Sequence, residues 1–190
     1  MNQPRSARRV LAPTPHAGHL LEVDDFRTYF DTPAGRVRAV DGVSFSLERG
    51  KTLGVVGESG SGKTVLTRSM MGLLTARNVH RSGSARYDGQ ELVGASKQQL
   101  RALWGTEMAM VFQDPMTSLN PVMKIGRQIT EGLRFHLKVP KDEAESQALQ
   151  LLESVGIPDP KRRIKQYPHE LSGGMRQRVT IAIALACGPK

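Results

Sequence analysis

An α/β fold organised around a phosphate-binding loop is predicted by three consecutive observations on this 190-residue chain. Thr52 to Gly57 (TLGVVG) is a short, continuous apolar run ending in glycine, the pattern of a strand buried on both faces. The next residues, Gly57-Glu58-Ser59-Gly60-Ser61-Gly62-Lys63-Thr64, match G-x-x-x-x-G-K-[ST] in full. VLTRSMMGLL then has helical character to about Leu74. Glycines let successive backbone N–H groups turn inward around an anion where a Cβ would obstruct, and the following helix adds its positive end. Lys63 is placed to reach the β and γ phosphates and Thr64 to ligate Mg²⁺. A dinucleotide-binding G-x-G-x-x-G would need a third glycine where Val65 stands, so that reading fails.

The remaining elements follow along the chain. Residues 1–18 hold three prolines and little periodicity, and read as a disordered extension. HLLEVDDFRTYF is extended in character, TPAG is a turn, and Val43 to Leu47 alternates as a half-buried strand does, with ERGK as the turn after it. GSARYDGQEL contains a strand and an Asp88-Gly89 turn. KQQLRALW is helical with Ser96 as N-cap, and Glu107 to Gln113 is apolar enough for a second buried strand. KDEAESQALQLLESVGI places Ala144, Ala148, Leu151, Leu152 and Val155 at helical spacing, with Gly156 as the stop. Strands therefore dominate the first part and helices the second.

Composition narrows the class. With 38% hydrophobic and 24% charged residues, a packed soluble domain is expected. The longest strongly apolar stretch, Val179 to Cys187, falls far short of the roughly 20 residues that span a bilayer. The basic N-terminal residues are followed by no apolar run or cleavage site, so a secretory signal is not expected. Cys187, the single cysteine, reads as a small buried hydrophobe. The net charge of +9 fits nucleic acid, an anionic surface or a neighbouring acidic portion equally well. His169 reads as a structural hydrogen-bonding residue, and Lys161, Arg162, Arg163 and Lys165 as a solvated face or a contact for an acidic partner segment.

A second anion-binding helix start is suggested by LSGGMRQRVTIAIALA. Ser172 is a good N-cap, and Gly173 and Gly174 expose N–H groups at the positive end of the helix. On spacing alone a capped core helix fits as well.

Together, GESGSGKT, the glutamine of VFQDP (Gln113) and LSGGMRQRV resemble, in this order, the Walker A loop, Q-loop and signature motif of ABC transporter ATP-binding subunits. The resemblance covers Leu20 to Lys190. QDPMTSLNP (Gln113 to Pro121) and YPHELSGGMRQRV (Tyr167 to Val179) are similar to the oligopeptide, dipeptide and nickel importer branch. It implies a P-loop NTPase of ABC type over residues 19–190, with an antiparallel β-subdomain and a helical subdomain over about 114–170. It also implies ATP and Mg²⁺ as cofactors. Gly57, Ser59, Gly60, Ser61, Gly62, Lys63 and Thr64 would hold the phosphates, with Thr64 and Gln113 serving Mg²⁺ and Gln113 sensing the attacking water. Ser172, Gly173 and Gly174 would meet the γ-phosphate held by the opposite subunit of a head-to-tail dimer. An aromatic residue would stack on adenine, Phe30 before Tyr29, although both also suit the β-subdomain core.

The implied partners are a second ATP-binding subunit, identical or related, integral membrane permease subunits and, through them, a solute-binding protein. The implied place is the cytoplasmic face of the inner membrane. Members of the family run on past the equivalent of Gly188-Pro189-Lys190 into an apolar strand ending in Asp-Glu, so the expected domain is C-terminally incomplete. Such a domain would lack a second Mg²⁺-ordering carboxylate, a catalytic glutamate, a D-loop and a switch histidine, and is expected to hydrolyse hardly any ATP by itself. Unpaired sheet edges and marginal stability are expected to accompany that loss. The function read from the resemblance is energising import of peptides or related solutes; the alternative is a non-catalytic, truncated nucleotide-binding fragment. An ABC-type ATPase working on nucleic acid is disfavoured by QDPMTSLNP.

Overall fold

A computed structural model describes residues 18–114 and 118–190. Apart from Gly18, the expected N-terminal extension lies outside the described residues. The chain divides into two compact units, Met1–Leu100 and Arg101–Lys190.

The first unit is an antiparallel sheet in the order β2-β1-β3-β4, formed by β1 (His19–Thr32), β2 (Gly35–Glu48), β3 (Val79–Tyr87) and β4 (Gln90–Glu91). Two tight turns set its register: Pro33-Ala34, which brings Thr32 opposite Gly35, and Asp88-Gly89, whose residues both take positive φ (47° and 77°) as a hairpin turn of this type requires. The longest strand, β1, is central and is not regular. Its register shifts against both neighbours around Asp24 and Asp25, where Asp25 has φ 44°. A bulge there re-aims the following side chains, so that Val23 and Phe26 are both buried. The partner strand accommodates the bulge with Gly83, whose Cβ would lie 2.2 Å from the Asp25 carbonyl oxygen.

One helix of this unit, α1 (Lys63–Met70), packs on the sheet. Leu66 and Met70 enter the apolar core, and the buried hydroxyls of Thr28 and Ser69 meet at 2.7 Å, tying α1 to β1. α1 ends before Leu74 because Gly72, with φ 69°, carries the chain away and the Leu73 N–H returns to the Arg68 carbonyl.

The predicted strand Thr52–Gly57 is not formed. Residues 51–58 join no ladder, and Val55 and Val56 are 48% and 93% exposed. A run apolar on both faces is stable as a strand only between two hydrogen-bonded neighbours, and no described strand pairs with it. The same correction applies to Glu107–Gln113: a single bridge joins Trp104 and Met108, and Val111 and Phe112 remain partly exposed.

The units divide within α2 (Lys97–Leu103), whose N-terminus is capped by the Ser96 hydroxyl accepting from the Gln99 N–H at 3.3 Å. The second unit is helical: α3 (Ile125–His136), α4 (Lys141–Ser154), the short α5 (Pro160–Arg163), a 3₁₀ turn at Pro168–Glu170, and α6 (Gly173–Leu185). Ile125, Ile129 and Leu133 on α3 and Ala144, Ala148 and Leu152 on α4 recur every four residues and are fully buried, the stripe each helix presents to the core. α6 contributes Val179 and Ala182, and these three helices pack pairwise. Gly156 (φ 72°) stops α4 as expected, and Arg178 of α6 donates to its carbonyl at 2.6 Å. No described helix is long and apolar enough to cross a membrane.

Candidate functional site

The glycine loop takes its shape from positions where a side chain would be strained or obstructed. Gly60 and Gly62 have φ of 83° and 89°, conformations that cost an L-residue roughly 1–2 kcal/mol. Gly62 also passes so near β2 that a Cβ would stand 2.2 Å from the Ala39 carbonyl oxygen. The loop is thereby seated on the sheet at the point where α1 begins. Gly57 closes the other end, where a Cβ would lie 2.7 Å from the Ser61 hydroxyl.

Lys63 folds back over the loop it ends. Its Nζ donates to the carbonyls of Gly57 and Glu58, both at 2.7 Å, and to the Ser61 hydroxyl at 3.1 Å. A fixed positive charge therefore stands over the glycine turn. The N-terminus of α1 has no side-chain cap and no acidic residue in its first turn. Its leading N–H groups and dipole are left for an acceptor from outside the helix. A phosphate fits these features: donors, a cation and a turn without side chains in one place. Thr64, in the first turn of α1, is exposed. Among the described residues there is no cluster of three His, Cys, Asp or Glu side chains suited to a metal. Mg²⁺ commonly binds through few protein groups and the substrate's phosphates, which is the role Thr64 suits.

Tyr29 and Phe30 lie side by side on β1 and face opposite ways. The Tyr29 hydroxyl donates to Asp41, a bond that pushes the phenol's pKa up, and the guanidinium groups of Arg36 and Arg38 approach its ring at 6.0 and 5.8 Å. Thr28, the residue before it, faces α1, so alternation returns Phe30 to the α1 side of the sheet. Phe30 is thus on the face that carries the loop helix, whereas Tyr29 is engaged in a polar network on the other.

The second unit holds the remaining predicted residues. Gln113 is exposed at a bend next to Asp114, whose carbonyl accepts from the Ser118 hydroxyl at 2.6 Å. Ser172 caps α6, accepting from the Met175 N–H at 3.3 Å, and Gly173 and Gly174 present open space where a Cβ would stand. The approach to this cap is held by Arg176, donating to the Leu171 carbonyl, and by Glu170, accepting from the Tyr167 N–H. His169 does not hydrogen-bond as expected. It is exposed and stacks on Tyr167, the rings 5.7 Å apart and 10° from parallel. Cys187 is half-buried beside Gly132, and burial pushes its thiol pKa up.

The sequence reading missed a concentration of cations in the helical unit. Lys161 and Lys165 were visible as a charge run, but they line one groove with Arg127 and Arg134 of α3. The signal was present in the i, i+7 spacing of those two arginines.

Comparison with known proteins places this geometry. The family profile described as "ABC transporter" matches residues 40–190. The chain belongs to the ABC transporter family. The oligopeptide transport ATP-binding protein OppD of Bacillus subtilis is 51% identical to this ABC chain over 172 residues, 90% of this chain and 48% of that protein. OppD of Escherichia coli is 49% identical over 174 residues, 92% and 51% of the two chains. A putative peptide import ATP-binding protein of Brucella abortus is 52% identical over 171 residues, 90% and 52% respectively. The chain spans about half the length of the curated relatives it matches. Among solved structures, a dimeric post-hydrolysis state of the ATP-binding cassette MJ0796, bound to ADP and Pi, superposes with a TM-score of 0.79 at 23% identity, over 89% of this chain and 70% of that one. Cassette cbiO1 of Clostridium perfringens, part of the ABC transporter complex cbiONQ, gives 0.69 at 26%, over 91% and 63%. The fold is that of an ABC ATPase, with its antiparallel β-subdomain and its helical subdomain.

Proposed function

We propose that this chain binds ATP through the Gly57–Thr64 loop and forms the ATP-binding part of an ABC transporter that imports peptides. The observation that carries the proposal is the loop itself: Lys63 over glycines of positive φ, at an uncapped helix start. The peptide substrate is supported by the relatives, which are named as oligopeptide or peptide import proteins.

In this reading the amides from Ser59 to Thr64 and the Lys63 ammonium hold the phosphates, and Phe30 stacks on the adenine. Mg²⁺, when bound, supplies neutralisation of charge between the β and γ phosphates. The Thr64 hydroxyl and the Gln113 amide would hold it, and Gln113 would also orient water and transmit the state of the site to the helical unit. Ser172, Gly173 and Gly174 offer helix-start donors to the γ-phosphate of ATP held by a second ATP-binding subunit. The named dimeric cassette supports such pairing. Permease subunits and a solute-binding protein complete the assembly, at the cytoplasmic face of the membrane.

Equilibrium titration with ATP and Mg²⁺ tests the proposal. Removing a charge-assisted contact costs about 1.5–3 kcal/mol, so Lys63→Ala weakens binding roughly 10- to 100-fold. Equal affinity in the variant and the parent chain would remove the loop from the function.

A further inference from the structure

We infer that the helical unit carries a second anion site, a groove between α3, α4 and α5 that takes a phosphate-bearing ligand. The groove has a volume of about 720 Å³, within the range of small-molecule sites. Six cations line it: Lys124, Arg127, Arg134, Lys141, Lys161 and Lys165. Against them stands one carboxylate, Glu145, and it is engaged by Lys141 at 4.0 Å. Among the described residues the other five side chains find no ion-pair partner. Lys124 alone has another electrostatic contact, its Nζ lying 6.0 Å from the centre of the Tyr167 ring.

Three independent pieces of local structure converge to make this cluster. Arg127 and Arg134 are seven residues apart on α3 and share a face, whereas Lys161 and Lys165 are one turn apart at and just beyond α5. Gly126 lets the two elements approach: its Cβ would stand 2.5 Å from Ile164 Cγ1, and its N–H donates to the Ile164 carbonyl at 2.8 Å. Ile164 and Leu149 supply apolar lining. Like charges gathered on one concavity repel one another, so the site favours a multivalent counter-charge. Guanidinium forks match phosphate oxygens with paired hydrogen bonds, and the lysines add point charge. Cations from three elements meet on one concavity, an arrangement that suits a compact multivalent anion.

The shared chemistry is a phosphate carried either by a soluble molecule or by a lipid headgroup. The test uses the whole chain in a Lys63→Ala background, which weakens the Gly57–Thr64 loop as a competing phosphate site, and reads the groove from the difference between variant pairs made in that same background. The probes are inorganic tripolyphosphate by calorimetry, and phosphatidylcholine vesicles with and without phosphatidic acid by sedimentation. Lys161→Glu with Lys165→Glu is compared with Arg101→Glu and Arg162→Glu, an equal charge change at exposed positions outside the groove. Losing two charge-assisted contacts and placing negative charge there lowers affinity by at least about tenfold, and the control lowers it less than about threefold. Lys161→Gln with Lys165→Gln, which introduces no repulsion, gives the same ranking if the first pair fails to fold. Saturation by tripolyphosphate identifies a soluble ligand; binding only to vesicles with phosphatidic acid identifies a headgroup. Equal losses in both variant pairs, absence of binding to either probe, or binding of a polyglutamate peptide without binding of either phosphate probe overturns the assignment.

Discussion

Gly62→Ala and Gly60→Ala, made separately, measure how the loop is seated on the sheet. The two glycines are two residues apart and share one conformational demand, with φ of 89° and 83°. Each substitution therefore carries the left-handed penalty of roughly 1–2 kcal/mol. They differ in what a new methyl group meets. At position 60 there is nothing within 4 Å, whereas at position 62 the Cβ lands 2.2 Å from the Ala39 carbonyl oxygen, 0.8 Å inside the 3.0 Å that real contacts respect. Ala39 belongs to β2, so relief requires either the strand or the start of α1 to move. Forced overpacking of this kind costs about 1–3 kcal/mol beyond the backbone term. Gly62→Ala is thus expected to lose about 2–5 kcal/mol and Gly60→Ala about 1–2 kcal/mol. Urea unfolding followed by far-ultraviolet circular dichroism gives the two values. Amide exchange then locates the damage, with faster exchange in β1 and β2 for Gly62→Ala and changes confined to the loop for Gly60→Ala. Equal losses at the two positions would refute the close approach and the reasoning that anchors the loop through it.

Two further substitutions probe the same physics elsewhere. Ser172→Ala removes the cap of α6 and is expected to cost about 1 kcal/mol in urea unfolding, with Ser172→Thr retaining most of it. Glu91 is pushed up by its partial burial, but hydrogen bonds from the Ser84 hydroxyl at 2.5 Å and from the Ala85 and Val93 N–H groups outweigh this and hold its pKa below the ordinary 4.5. A depressed carboxyl pKa contributes stability above the unfolded value that disappears as pH falls through the folded one. Glu91→Gln is therefore less stable than the parent at neutral pH, and the gap narrows below pH 4.5, measured as unfolding midpoints across that range. A constant gap down to strong acid would contradict it.

Local rules carried the sequence reading wherever the chain needs only its near neighbours. The Asp88-Gly89 turn, the Ser96 and Ser172 caps, the stop at Gly156 and the four-residue stripe of α4 each depend on a few adjacent residues, and each stands as expected. Thr52–Gly57 and Glu107–Gln113 needed something else. Their apolar character is a requirement for partners, and whether partners are in place is not written in the run itself. The bulge at Asp24-Asp25 was equally invisible, because it is a negotiation between β1 and Gly83 of a strand more than fifty residues away. The groove cations were legible one helix at a time, and only the fold brings α5 beside α3.

Lys63 shows why the loop is more than a flexible glycine linker. An ammonium has three donors and no acceptor, and here all three are in use, two on backbone carbonyls at 2.7 Å and one on the Ser61 hydroxyl at 3.1 Å. An anion arriving at the loop does not meet a free lysine; it must take a donor from one of these contacts. The hydroxyl is the contact that yields most readily, since it is the longest and Ser61 is exposed enough to bond water instead. The two carbonyl contacts then keep Nζ at the mouth of the loop while the third donor turns to the anion. The lysine is already restrained before binding, so little of its roughly 2 kcal/mol of rotamer entropy remains to be lost. Gly57 is a member of this arrangement as well as of the turn, because it supplies one carbonyl and because a Cβ there would displace the Ser61 hydroxyl. The loop sequence thus specifies both an empty cradle and a cation held ready above it.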